Sequence, residues 1–274
     1  MAGSNSPSHG AAPNADGRGA SRGDSSLRDL PRWVWLWFPI ASIIVIFAVR
    51  DLGKDIYNRW MGTELGVVEN ATVVLLLLAI FAGVLAFRRR RSLPNPWLRL
   101  WLPLVTVGCV YMAIEELSWG QHFIGWDTPA IIDRINDQGE TNLHNISSWF
   151  DQKPRIIVEI GILVGGVIFP LWALFTGFAP DPNRDWRYWF WPTFACFPAA
   201  ALAITVRLPT RFQKWFDWPR PPPFDIRLSE VQEYFFAAVL MIYLWSLYVR
   251  LRRFEGAEPG GAGDEAGPRT EPVE

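Results

Sequence analysis

The chain has 274 residues, half of them apolar and 19% charged, with a formal net charge of −1. That balance excludes a nucleic-acid-type basic face, and two cysteines, Cys109 and Cys196, both inside apolar stretches, exclude a disulfide framework. The apolar residues gather into nearly charge-free blocks of roughly 17 to 24, long enough to cross a hydrocarbon layer about 30 Å thick.

Residues 1–31 are rich in Gly, Ala, Ser and Asn and hold no apolar run. They read as a disordered N-terminal tail rather than a cleavable signal peptide, which needs its apolar stretch close to the start. The first apolar block begins near Trp33 and runs into Arg50-Asp51, which reads as a retained anchor. Spans are predicted at 33–49, 65–87, 98–118, 156–178, 188–206 and 230–249. Continuous apolar runs, without the alternation of barrel strands, make these helices. The expected fold is all-α, a polytopic membrane helical bundle over 32–254, with an outer loop 119–155 and a disordered C-terminal tail 255–274. Pro170, Pro192 and Pro198 fall inside spans four and five and predict kinks rather than boundaries.

Lys and Arg near span ends set the expected orientation. Four arginines at 88–91 follow span two, and Arg250, Arg252 and Arg253 follow span six, whereas the 119–155 link holds few basic residues. Both termini are therefore expected in the cytoplasm of a cell with an inner membrane. The link between spans five and six runs against the pattern, with Arg207, Arg211, Lys214, Arg220 and Arg227 on the predicted outer side.

Laid antiparallel, the spans bring their costly groups to one depth. Glu64, Glu69 and Asn70 open span two, Glu115 and Glu116 end span three, and Glu159 lies near the start of span four. Arg207 closes span five, and Glu230 and Glu233 open span six. A polar cavity with an acidic lining is one reading. For Glu64, Glu159 and Glu230 the plainer reading is a headgroup position at a helix start, which the dipole favours. Glu115 and Glu116 lie at a helix C-terminus, where the dipole disfavours anions, and intramembrane carboxylates are site candidates.

The stretch after them reads EELSWGQHFIGWDTP and then NDQGETNLHN. His144 follows Glu140 by four residues, so a helical turn would aim both at one point; imidazole and carboxylate suit zinc or a non-haem metal. The alternative is a short interfacial helix with Leu143, Ile146 and Phe150 toward lipid and the imidazole in water. His122 is one turn beyond Ser118 and Trp119, about 10 Å along the axis from Glu115, too far to share an ion on an unbroken helix.

At these two stretches the chain resembles an uncharacterised family of bacterial multi-pass membrane proteins. Its mark is Glu115, Glu116, Ser118, Trp119, Gly120 and Gln121, followed by Gly139, Glu140, Asn142, Leu143, His144 and Asn145. Glu69 and Thr72 are similar to the family's second-span pattern. Some members carry Arg in place of His122, which counts against that histidine as a ligand. The resemblance implies a membrane bundle and no activity. CAAX-type intramembrane proteases need an Arg where this chain has Gly120, and the alkaline ceramidase-like superfamily needs more membrane histidines.

The leading expectation is a membrane-embedded enzyme, with or without a divalent metal, acting on a lipid or lipid-linked substrate. Glu115, Glu116 and His144 would be catalytic, and Glu116, Glu140 and His144 would be the metal ligands. Glu69, Trp119, Gln121, Asn142, Asn145 and Arg207 would contact the substrate. A cation- or proton-coupled transporter and a structural membrane subunit stay open as alternatives. The expected partner is membrane lipid, not nucleic acid.

Overall fold

Six segments carry the apolar length to cross a membrane, and all are helical, one of them with a break. The computed structural model describes residues 29–62, 66–117 and 148–257. Its helices long and apolar enough to span are α1 (Trp33–Asp51), α2 (Val67–Arg88), α3 (Pro96–Glu116), α4 (Pro154–Thr176), α5 (Arg187–Phe216) and α6 (Leu228–Gly256). No strand occurs among the described residues. The fold is an all-α polytopic bundle, and the observed ends lie close to the predicted ones except that α5 and α6 run further.

Sequence chemistry sets the ends. Pro96 occupies the first turn of α3, where its missing N–H costs nothing. Gly177, at φ +66°, ends α4, and the Phe178 N–H donates to the Ala173 carbonyl at 3.0 Å in a left-handed cap. The α4 helix extends back to Ser148, so it takes over the last part of the predicted loop.

The prolines act differently from one another. α4 stays helical past Pro170, with a wider π-helical stretch at Leu163–Ile168 just before it. α5 does not stay helical at Pro192. The residue before a proline is pushed to extended backbone, and Trp191 adopts ψ 140°. The helix stops at Phe190 and resumes through a 3-10 turn at Phe194–Cys196. The expected kink is therefore a break. α6 supplies partners for the freed carbonyls: the Tyr243 hydroxyl donates to Phe190 O at 2.9 Å, and Arg250 donates to Tyr188 O. A broken span is tolerated where protein satisfies its backbone.

α6 is the centre of the bundle, packed most extensively on α2 and then on α5. Small residues allow the approach: Ala79, Ala82 and Ala86 of α2 and Ala237 and Ala238 of α6 are fully buried. A Cβ at Gly166 of α4 would meet the Ala200 Cβ of α5 at 2.6 Å, and one at Gly83 of α2 would collide with Thr106 of α3. Around this core, Leu77, Phe81, Leu104, Val107, Ile157 and Phe175 are exposed. So broad an apolar surface is what a lipid-facing exterior requires.

The two ends of the bundle carry different polar clusters. One gathers the ends of α2 and α3 that bear glutamates with the starts of α4 and α6; the other gathers Asp29, Thr193, Ser246 and Arg250. Asp29 falls within the stretch that composition assigns to the tail, yet it is buried against α6. Its carboxylate accepts hydrogen bonds from Thr193 Oγ1 at 3.0 Å and from the Ser246 hydroxyl.

Candidate functional site

Five helices deliver side chains to the acidic end. Glu69 lies in the first turn of α2, Glu115 and Glu116 end α3, and Arg155 and Glu159 lie near the start of α4. Arg207 sits at the turn inside α5 between Thr205 and Leu208, and Glu230, Gln232 and Glu233 lie in the first turns of α6. Alternating chain direction brings them together, as the antiparallel reading of the sequence expects.

Gln232 is the hub and is fully buried. Its Oε1 accepts from Arg155 Nη2 at 3.0 Å, from Arg155 Nε at 3.2 Å and from Arg207 Nη1 at 3.3 Å. Its amide nitrogen donates to Ala203 O at 3.0 Å, tying the start of α6 to α5. Arg155 also donates to Ser229 O at 3.1 Å and pairs with Glu233 Oε1 at 2.7 Å. Two guanidiniums thus meet at one neutral oxygen. Like charges so close repel, so nearby anions stabilise the arrangement.

Glu233, in its ion pair with Arg155, is one such anion. Glu116 is partly buried within electrostatic range of Glu233, Glu230, Glu69 and Arg155. Glu115, its neighbour, is 6% exposed. Around the rim, Arg211 of α5 pairs with Glu159, and Arg227 pairs with Glu230 at 3.9 Å while donating to Met61 O at 3.2 Å. Arg50 clasps Asp225 with hydrogen bonds of 2.5 and 2.8 Å, joining the end of α1 to the link before α6.

Of the residues expected at the site, Glu69, Glu115, Glu116 and Arg207 come to this end of the bundle. Trp119, Gln121, Glu140, Asn142, His144 and Asn145 lie outside the described residues, as do Glu64 and His122. Among the described residues, no group of three or more His, Cys, Asp and Glu side chains could hold a metal ion. Of the expected metal ligands only Glu116 is described.

Arg155 and Gln232 are the site residues the sequence reading missed. A signal existed for Gln232: Ser229, Gln232 and Glu233 share a helix face at spacings of three and four.

Three of the five basic residues that oppose the expected orientation engage side chains of the acidic cluster. Arg207, Arg211 and Arg227 engage Gln232, Glu159 and Glu230 rather than standing as free charges beside a span. The chain matches no protein-family model, no curated protein and no solved structure.

Proposed function

We propose that the chain is a membrane-embedded enzyme acting on a lipid or lipid-linked substrate at its acidic end. The observation that carries this is the grouping of Glu116 with acids from α2 and α6 beside two guanidiniums that share the Gln232 oxygen. A carboxylate in reach of a substrate hydroxyl or water is a general base. A guanidinium fork is the side chain suited to phosphate or carboxylate on a headgroup. The acidic end offers both.

Glu116 is the proposed base, with Glu115 behind it, and Arg155 and Arg207 are the anion contacts. His144 and Glu140 join Glu116 if a divalent metal is bound. Trp119, Gln121, Asn142 and Asn145, with Glu69, complete the substrate contacts. The acidic end faces the outer side of a cell inner membrane, with both termini in the cytoplasm. The local pairing of Arg207, Arg211 and Arg227 supports that orientation, because it accounts for three of the five basic residues on the outer side.

A second reading is a structural subunit whose polar network locks helices together. The pairing of Glu233, Glu159 and Glu230 with arginines favours it.

The test is purified protein in nanodiscs incubated with a total lipid extract, with lipid turnover followed by mass spectrometry and bound metal by elemental analysis. The expected result is turnover that falls about 100-fold or more in Glu116→Gln, the usual scale for losing a general base. A metal-dependent enzyme also shows stoichiometric metal that Glu116→Gln and His144→Ala lose; no metal in any preparation removes that version. Glu115→Gln and Glu116→Gln that change only the melting temperature establish the structural reading. Proton or cation flux into liposomes that Glu115→Gln abolishes replaces the enzyme with a transporter.

A further inference from the structure

The last part of α5 is chemically unlike the rest of that span. The stretch from Arg187 to Arg207 already supplies the roughly 20 residues a crossing needs. The helix is interrupted after Thr205, begins again at Leu208 and runs to Phe216, where Asp217 at φ 52° ends it. Leu208, Phe212, Trp215 and Phe216 follow one another at spacings of four, three and one. At 3.6 residues per turn they form a single stripe about 100° wide. Thr210, Gln213 and Lys214 occupy the opposite side.

The stripe is left open. Phe212 is 45% exposed, Trp215 66% and Phe216 68%, with the Phe212 and Phe216 rings 6.0 Å apart. Trp218, 64% exposed, continues the patch past the end of the helix. A contiguous apolar patch of this kind marks an interaction surface. Its position and its charge identify what it meets. Arg207, just before this segment, donates to Gln232 in the acidic cluster, so the segment begins where the crossing ends, at headgroup level. Arg211, at the edge of the stripe, pairs with Glu159 of α4, which fixes the rotation of the helix with its aromatic side outward. Lys214, on the polar side, is exposed and engages no side chain among the described residues. Aromatic rings on one side and a free cation on the other form the pattern of a helix held in the membrane interface. Tryptophan is the side chain suited to that boundary.

We propose that Leu208–Phe216, with Trp218, is an interfacial segment rather than part of the α5 crossing. Its face of Phe212, Trp215 and Phe216 is seated in the headgroup–acyl boundary of the phospholipid leaflet at the acidic end, with Lys214 toward the lipid phosphates. The crossing of α5 then ends at Arg207. Through Arg211 and Glu159 the segment ties the surface of that leaflet to the acidic cluster, whether the cluster is catalytic or structural. The competing occupant of the stripe is a second copy of the chain.

The experiment places Phe212→Cys, Phe216→Cys or Gln213→Cys singly in the full chain, with Cys109 and Cys196 changed to Ala. Each cysteine carries the fluorophore NBD, and the protein is held at one copy per nanodisc. The probes are phosphatidylcholine brominated high on its acyl chains, which quenches a dye at the boundary, and aqueous dithionite, which bleaches a dye in water. Labels at the two phenylalanine positions are expected to be quenched about three-fold more than the label at Gln213, and bleached about three-fold more slowly, as for a helix with one side in lipid. Equal quenching and equal bleaching at all three positions overturns the proposal. Fast bleaching in single-copy discs that slows without quenching at higher copy number also overturns it, and assigns the stripe to a second copy. Should either phenylalanine variant fail to fold, Trp215→Cys supplies the same comparison with Gln213→Cys.

Discussion

A neutral amide with no exposure, accepting from two guanidiniums and donating to a backbone carbonyl, leaves several groups stranded if it is removed. Gln232→Leu strips Arg155 and Arg207 of a shared acceptor and Ala203 O of its donor. Unsatisfied buried groups cost about 1–3 kcal/mol each. Chemical denaturation in detergent is expected to show at least that loss, and a variant as stable as the parent would show that the hub is decorative. Asp225 gives a pH-dependent counterpart. Hydrogen bonds from Arg50 hold its carboxyl below the usual carboxylate range. A depressed folded-state value means the clasp contributes in full above the unfolded value near ~3.9 and is lost as pH falls through the folded value. Both side chains are partly solvated, so the contribution is small. The melting temperature is expected to drop below about pH 4 partly through this clasp, and Asp225→Asn to show a shallower acid drop; an identical acid limb would contradict it. At this scale the sequence made charges legible and amides not. Glu69, Glu116 and Arg207 stand out because ionised groups are expensive inside spans. Gln232 carries no such flag, and Arg155 was counted with the preceding link because α4 starts earlier than its apolar run.

Elements were legible where apolar length decided them and less so where proline did. All six spans follow from uninterrupted runs. The break in α5 depends on whether a neighbour accepts the backbone groups that Pro192 frees, and Tyr243 and Arg250 answer that only once α6 is packed alongside. Composition likewise placed Asp29 in a polar tail, whereas its partners Thr193 and Ser246 lie more than 160 positions away in the chain. Close approach of α4 and α5 at Gly166 has a direct consequence. Gly166→Val must displace the Ala200 methyl group and the helix carrying it, with an expected cost of about 1–3 kcal/mol, the range for overpacking. Gly161, one helical turn earlier, has open space around a Cβ. Gly161→Ala is expected to be neutral in the same unfolding assay. Equal effects at the two positions would show that the α4–α5 contact is not tight.

Across the whole molecule, the physical theme is separation of two polar clusters by an apolar bundle. The acids of the ends of α2, α3, α4 and α6, with their arginines, collect at one end; Asp29, Arg250 and the α5 break collect at the other. Interhelical polar contacts in membranes contribute only about 0.6 kcal/mol each on average, so packing of small residues around α6 carries the stability and leaves the clusters available for chemistry. The proposed enzyme site and the Asp29–Arg250 cluster accordingly lie toward opposite faces of the membrane.

That arrangement depends on six antiparallel crossings, and accessibility labelling tests it directly. Cys109 and Cys196 are buried and are replaced by Ala to give a silent background. Single cysteines go to exposed positions: Asp55 and Lys214 at the acidic end, Arg91, Asp181 and Arg252 at the other. A membrane-impermeant maleimide applied to one side of oriented vesicles is expected to modify the first pair together and spare the other three, with the reverse from the opposite side. Modification of Asp55→Cys and Arg91→Cys from the same side, or of Lys214→Cys with Asp181→Cys, would contradict the threading and with it the convergence of Glu69, Glu116, Arg155, Arg207 and Glu233.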